Sequence, residues 1–151
     1  VSEPNAARRA VALNEGADVV VDPTSEDLNK IVKAHSYGLG ADVAIVAIGV
    51  PALANVALGL VRKRGRISLF AGFSVGESAQ LDINLIHYSE LIVTGAFGLT
   101  RLQFERALDL LATKRFDVSS FVTHRYELSS IAEAMKMAEN GAAIKVAVVN
   151  T

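Results

Sequence analysis

Gly40-Ala41-Asp42-Val43-Ala44-Ile45-Val46-Ala47-Ile48-Gly49-Val50-Pro51 is the stretch on which the fold turns. A glycine that ends one segment feeds straight into an apolar, β-branched run, and the run closes on a glycine and a proline. Such a run, bounded by breakers, predicts a strand over 42–48 buried on both faces. Pro51 suits the first turn of a helix whose inner face would be Leu53, Val56, Ala57 and Leu60. Arg62-Lys63-Arg64 falls where that helix would end, and cations there complement the helix dipole. A further strand is predicted over 66–70, ending in Ala71-Gly72.

The same phrase occurs upstream as Gly16-Ala17-Asp18-Val19. Before it, 5–15 places Ala6, Ala7, Ala10 and Val11 on one helical face, and Gly16 is a good residue to end the helix. A short strand is predicted over 17–22, closed by Pro23. Thr24 and Asp27 suggest a capping box for a helix carrying Leu28, Ile31, Val32 and His35 at amphipathic spacing. Downstream, 80–83 reads as an edge strand and 91–97 as another strand. Thr100 and Gln103 predict a second capping box, with Phe104, Ala107, Leu108 and Leu111 facing inward. Residues 121–126 read as extended, Ser130 and Glu133 as the cap of a last helix, and 144–149 as a final strand. Strands alternating with helices at this spacing predict an α/β fold with a parallel, doubly wound sheet. No linker divides the 151 residues, so one domain is expected.

Composition narrows the functional classes. Half the residues are hydrophobic and 21% are charged, which is globular rather than disordered. With 15 basic and 16 acidic residues, nothing in the charge favours nucleic acid or an anionic membrane. The apolar runs are too short to span a bilayer, and no signal peptide is visible. The sequence has no cysteine, so disulfides, thiolate zinc sites and cysteine nucleophiles are excluded within it. A cytoplasmic domain is the expectation.

Val1-Ser2-Glu3-Pro4-Asn5 reads as the tail of a strand with an acid at its tip and a helix directly after. In a dinucleotide-binding βαβ unit an acid there accepts hydrogen bonds from the adenosine ribose and repels the 2′-phosphate of NADP. The glycines that hold the pyrophosphate would stand roughly 20 residues earlier. None precede Val1, so the sequence is expected to open within its own cofactor site. The alternative for Glu3 is an acid that merely complements a helix N-terminus. Gly49, between Ile48 and Val50, stands at a strand's carboxyl end, where open α/β sheets place their ligand crevice. Ala71 and Gly72 follow the next strand in the same way.

Several phrases together resemble the zinc-containing medium-chain alcohol and polyol dehydrogenases, above all the sorbitol and threonine dehydrogenase branch. They are Ser2-Glu3-Pro4-Asn5 with Arg8, the two Gly-Ala-Asp-Val phrases, Ile48-Gly49 with Pro51, and Arg64-Gly65-Arg66-Ile67 with Phe70-Ala71-Gly72. Asn84-Leu85-Ile86-His87-Tyr88, Thr94-Gly95-Ala96-Phe97-Gly98, Thr123-His124-Arg125-Tyr126 and Ala143-Ile144-Lys145-Val146 continue the series in order. The resemblance implies a Rossmann-type sheet lacking its first strand and most of its second, with about 1–115 in the cofactor domain and about 116–151 as C-terminal elements. It further implies NAD as cofactor, a catalytic zinc held by Cys, His and Glu ligands that would precede Val1, a small alcohol or polyol substrate, and a homo-oligomer. The stretch 80–83 would pair across a two-fold axis.

By the same resemblance Glu3 and Arg8 face the adenosine, Ile48, Gly49 and Val50 the dinucleotide, and Ala71, Gly72, Ala96 and Phe97 the nicotinamide. Lys145 would reach the pyrophosphate, or else is a snorkelling surface lysine. Phe97 is otherwise a core aromatic. Arg9 reads as a solvated surface charge, although the Arg8–Arg9 pair leaves some room for a 2′-phosphate. His35, His87 and His124 show no metal-ligand spacing. No catalytic residue is expected in this chain, which should be inactive alone. Rival readings are a zinc-free quinone reductase-like enzyme using NADPH, a non-catalytic α/β interaction module, and a methyltransferase-like fold. Without a central strand, the strands at Val19 and Val43 should show unpaired apolar edges and favour rearrangement or self-pairing.

Overall fold

The computed structural model describes residues 1–115 and 117–150. They fall into two compact units: Val1–Arg9 with Asp18–Gly98, and Ala10–Ala17 with the residues from Leu99 onward. The boundary expected near residue 115 abuts Phe116, which lies outside the described residues.

In the first unit, Val1 to Glu3 runs parallel to Val19 to Val21. The Val1 nitrogen donates to the Val19 carbonyl (2.7 Å), Val21 N–H to Val1 (2.8 Å) and Glu3 N–H to Val21 (3.1 Å). The strand predicted over 17–22 is present as a single bridge between Ser2 and Val21. Asn5 caps helix α1 (Ala6–Asn14), its Oδ1 accepting from the N–H groups of Ala7 and Arg8. Helix α2 (Leu28–Ala34) is capped by Asp27, which accepts from Lys30 N–H at 3.0 Å. Thr24 takes no part in that cap. Its hydroxyl and N–H both donate to Asp22 Oδ1, at 2.6 and 3.0 Å, so the expected capping box does not form.

The centre of this unit is a parallel three-stranded sheet in the order β1 (Ala41–Val46), β2 (Val61–Leu69), β3 (Ile92–Gly95). Helices α3 (Pro51–Leu60) and α4 (Ile83–Tyr88) make the crossovers. Val46, Ala57, Leu58, Ile67 and Leu91 form the core between sheet and helices. Leu58 and Ile67 are fully buried, each worth about 1.5–3 kcal/mol relative to exposure. Ala44, Ile67 and Val93 share one row on this face, followed by Val46 and Leu69.

The opposite face carries Val43 (53% exposed), Ile45 (65%) and Ile92. The run 42–48 was predicted to be buried on both faces. It is buried on one, because only one face of the sheet is covered by described residues of its unit. The inner face of α3 also differs from expectation. It is Ala54, Ala57 and Leu58, while Leu53 and Val56 lie exposed.

Arg62-Lys63-Arg64 belongs to β2 and not to a helix end. Pairing jumps from Ala41–Val61 to Val43–Arg66, and the intervening residues bulge with Arg64 at φ 61°. Arg62 there pairs with Asp42, and Arg64 with Glu90 at 2.7 Å. The edge strand predicted over 80–83 is absent. Asp82 is instead the cap of α4, accepting from Leu85 N–H (2.9 Å) while its own N–H donates to Asn55 Oδ1 (2.9 Å).

In the second unit, Thr100 and Gln103 make the predicted capping box of α5 (Arg101–Ala112). Phe104, Leu108 and Leu111, expected to face inward, are exposed among the described residues. Strands β4 (Val122–Glu127) and β5 (Lys145–Val149) form a parallel pair on which α6 (Ile131–Glu139) packs, burying Ala134. Ser130 makes no side-chain cap. A 3-10 turn over Leu128–Ser130 leads straight into α6, where a capping box was expected. No described helix is long and apolar enough to cross a membrane.

Candidate functional site

Glu3 sits at the tip of the Ser2–Val21 pair, half-buried, with Oε1 accepting Asn5 N–H at 2.8 Å. The carboxylate thus closes the turn into α1 and lies outside that helix's first turn. A carboxylate has roughly four acceptor sites on two oxygens, so one internal bond leaves capacity for ribose hydroxyls.

Arg9 is not a solvated surface charge. One nitrogen of its guanidinium donates to the carbonyls of both Glu3 and Pro4, each at 2.7 Å. Another lies 3.0 Å from Asp22 Oδ2. Hydrogen bonds from Thr24, side chain before backbone, and then the Arg9 charge hold the Asp22 carboxyl below its usual range. The Asp22 N–H is taken by Glu26 Oε2 at 2.7 Å. Sequence spacing missed this network because Arg9 and Asp22 come from separate segments that only the Ser2–Val21 pairing brings together.

At the carboxyl ends of β1 and β2, Gly49 packs on the backbone of Gly72, and a Cβ on Gly49 would strike the Gly72 carbonyl. Val46 accepts the N–H groups of both Phe70 and Ala71, at 3.1 and 3.0 Å, and Ala96 N–H donates to Leu69 at 3.2 Å. These bonds carry the sheet one residue past its strands and set Ala71, Gly72, Ala96 and Phe97 around one open cavity. Its volume is about 510 Å³ and its walls are 69–73 and 95–97. That is within the usual range for a small-molecule site. Phe97 is fully exposed, not a core aromatic. Ile48 and Val50 flank Gly49 and are exposed as well. Phe70 and Phe73 also line the cavity, and the Phe70-Ala71-Gly72 phrase was their signal in the sequence.

Arg8 follows Asn5, to which its N–H is bonded at 3.1 Å. Lys145 opens β5 in the second unit, opposite Val122, and is exposed. The structure therefore gathers Ala71, Gly72, Ala96 and Phe97 at one cavity with Gly49 against Gly72. It shows Glu3 on its own turn, with Arg9 beneath.

Residues 1–113 match the sequence model of the zinc-binding dehydrogenases. The chain belongs to that family. This zinc-binding dehydrogenase chain is 32% identical over 142 residues to D-arabitol-phosphate dehydrogenase of Enterococcus avium, covering 94% of this chain and 40% of that protein. It is 30% identical over 131 residues to sorbitol dehydrogenase of Halalkalibacterium halodurans, covering 87% and 38%. An alcohol dehydrogenase from Thermotoga maritima superposes with a TM-score of 0.93 over all of this chain and 42% of that one, at 19% identity, which shows a shared fold. The chain thus spans about 40% of the length of the curated relatives it matches.

The family's name raises zinc. Among the described residues no group of three or more His, Cys, Asp or Glu side chains is placed to hold a metal ion, and the sequence has no cysteine. The described residues of this zinc-binding dehydrogenase chain do not fit a zinc site.

Proposed function

We propose that the chain is the cofactor-binding part of an NAD-dependent alcohol or polyol dehydrogenase. The observation that carries this reading is the open cavity at the carboxyl ends of β2 and β3, walled by 69–73 and 95–97. Bound there, the nicotinamide of NAD would supply a hydride acceptor for an alcohol carbon. The groups facing it are backbone and apolar: Ala71, Gly72, Ala96 and Phe97 would shape its berth and exclude water.

At the other end of the cofactor, Glu3 would accept from the ribose hydroxyls. NAD is favoured over NADP because Arg9 is already engaged by two carbonyls and by Asp22, and is not poised for a 2′-phosphate. Arg8, Ile48 and Val50 remain part of the proposed cofactor surface. The whole protein's zinc ligands would come from residues other than these, and the D-arabitol-phosphate and sorbitol dehydrogenase relatives support a polyol as substrate class. Assembly as a homo-oligomer is part of the same reading. It does not use a strand over 80–83, where the chain caps α4 instead.

Titrating the full-length protein with NADH and following nicotinamide fluorescence tests this. Saturable enhancement that is lost on Gly72→Asp supports it, whereas no binding of either reduced nicotinamide cofactor overturns it.

A further inference from the structure

We propose that Arg9, held by Asp22, is the positioning residue that fixes the Glu3 carboxylate for the cofactor's ribose. This rests on the cofactor reading given above and gives Arg9 a further role at that same site. The Arg9 guanidinium spans two successive carbonyls, those of Glu3 and Pro4, from one nitrogen at 2.7 Å each. It thereby pins the two successive peptides that flank Pro4, Glu3–Pro4 and Pro4–Asn5. A second nitrogen is anchored 3.0 Å from Asp22. Asp22 is itself immobilised by both donors of Thr24 and by the bond from its N–H to Glu26.

The arrangement is shielded enough to matter. The Arg9 and Asp22 side chains are 19% and 22% exposed, unlike the Arg64–Glu90 pair at 75% and 64%. Exposed ion pairs contribute little, while a partly buried planar fork with several acceptors is rigid and directional. Above it, the Glu3 carboxylate is oriented by a bond within its own turn, from Asn5 N–H. The side chain's aim is then set by a turn that Arg9 holds from one side and the Val21 carbonyl from the other. Loss of the clamp frees the turn that aims the carboxylate, so it should be felt at the ribose.

A double-mutant cycle on the full-length protein tests this, with NADH affinity read by fluorescence and the melting temperature read alongside. Arg9→Met keeps the apolar stem and removes the donors. It is expected to weaken NADH about tenfold with Glu3 present and less than about twofold in the Glu3→Gln background, while lowering the melting temperature equally in both. An equal loss of affinity in both backgrounds, or none in either, overturns the proposal and leaves Arg9 a purely structural residue. Should Arg9→Met fail to fold, Asp22→Asn removes only the anchor and is expected to give the same non-additivity at smaller size. Unchanged NADH affinity in Glu3→Gln alone would overturn the ribose role of Glu3 and this proposal with it, a result distinct from failure of the clamp.

Discussion

Gly49, past the end of β1, lies against the carbonyl oxygen of Gly72, past the end of β2, with no room between them for a side-chain carbon. Two adjacent strands thus meet at their carboxyl ends through backbone alone. Gly72 also lines the cavity at the carboxyl ends of β2 and β3.

Gly49→Ala should therefore force a backbone shift, at a cost of about 1–3 kcal/mol. Gly59→Ala is the control of opposite sign. Gly59 lies inside α3 with nothing within 4 Å of an added Cβ, so the substitution should gain about 0.5–1 kcal/mol. Urea unfolding of both variants checks the pair. Equal effects in the same direction would contradict the contact.

The Asp22 carboxyl is held low by Thr24 and then by Arg9. A carboxyl whose folded value is depressed adds stability above its unfolded value, about 3.9, and loses it as pH falls through the folded value. The stability difference between wild type and Asp22→Asn should accordingly be flat above about pH 5 and shrink below about pH 4. Urea midpoints across that range give the answer. A difference that does not change with pH would mean that Asp22 gains nothing from its partners.

Thr100 and Ser130 test capping. Thr100 accepts from Gln103 N–H while Gln103 returns the bond to Thr100 N–H, whereas Ser130 makes no such bond. Thr100→Ala should cost about 1 kcal/mol and expose the first turn of α5 to hydrogen exchange. Ser130→Ala should change stability by less than about 0.5 kcal/mol. A larger loss at Ser130 than at Thr100 would reverse the assignment.

Much of the architecture was legible in the glycine-bounded apolar runs. Gly16 and Gly40 do end their segments with positive φ, and 42–48 and 66–70 do pair in parallel. Local pattern could not report what covers a face, so burial of Val43 and Ile45 on both sides was overestimated. The expected α3 face was right at Ala57, but Ala54 and Leu58 are buried where Leu53 and Val56 were expected. Ala71 and Gly72, which line the cavity, were readable as the end of a strand, while Ala96 and Phe97 entered by resemblance. The Arg9–Asp22 pair was not legible, since only tertiary pairing of Ser2 with Val21 creates it.

The most direct measurement is the affinity of the full-length protein for NADH and NADPH, with and without Glu3→Gln. The wild type should bind NADH at least about tenfold tighter, a gap of about 1.4 kcal/mol, and the substitution should close most of that gap by weakening NADH. A wild type that prefers NADPH, or a ratio untouched by Glu3→Gln, would contradict the assignment of this strand tip to the ribose of NAD.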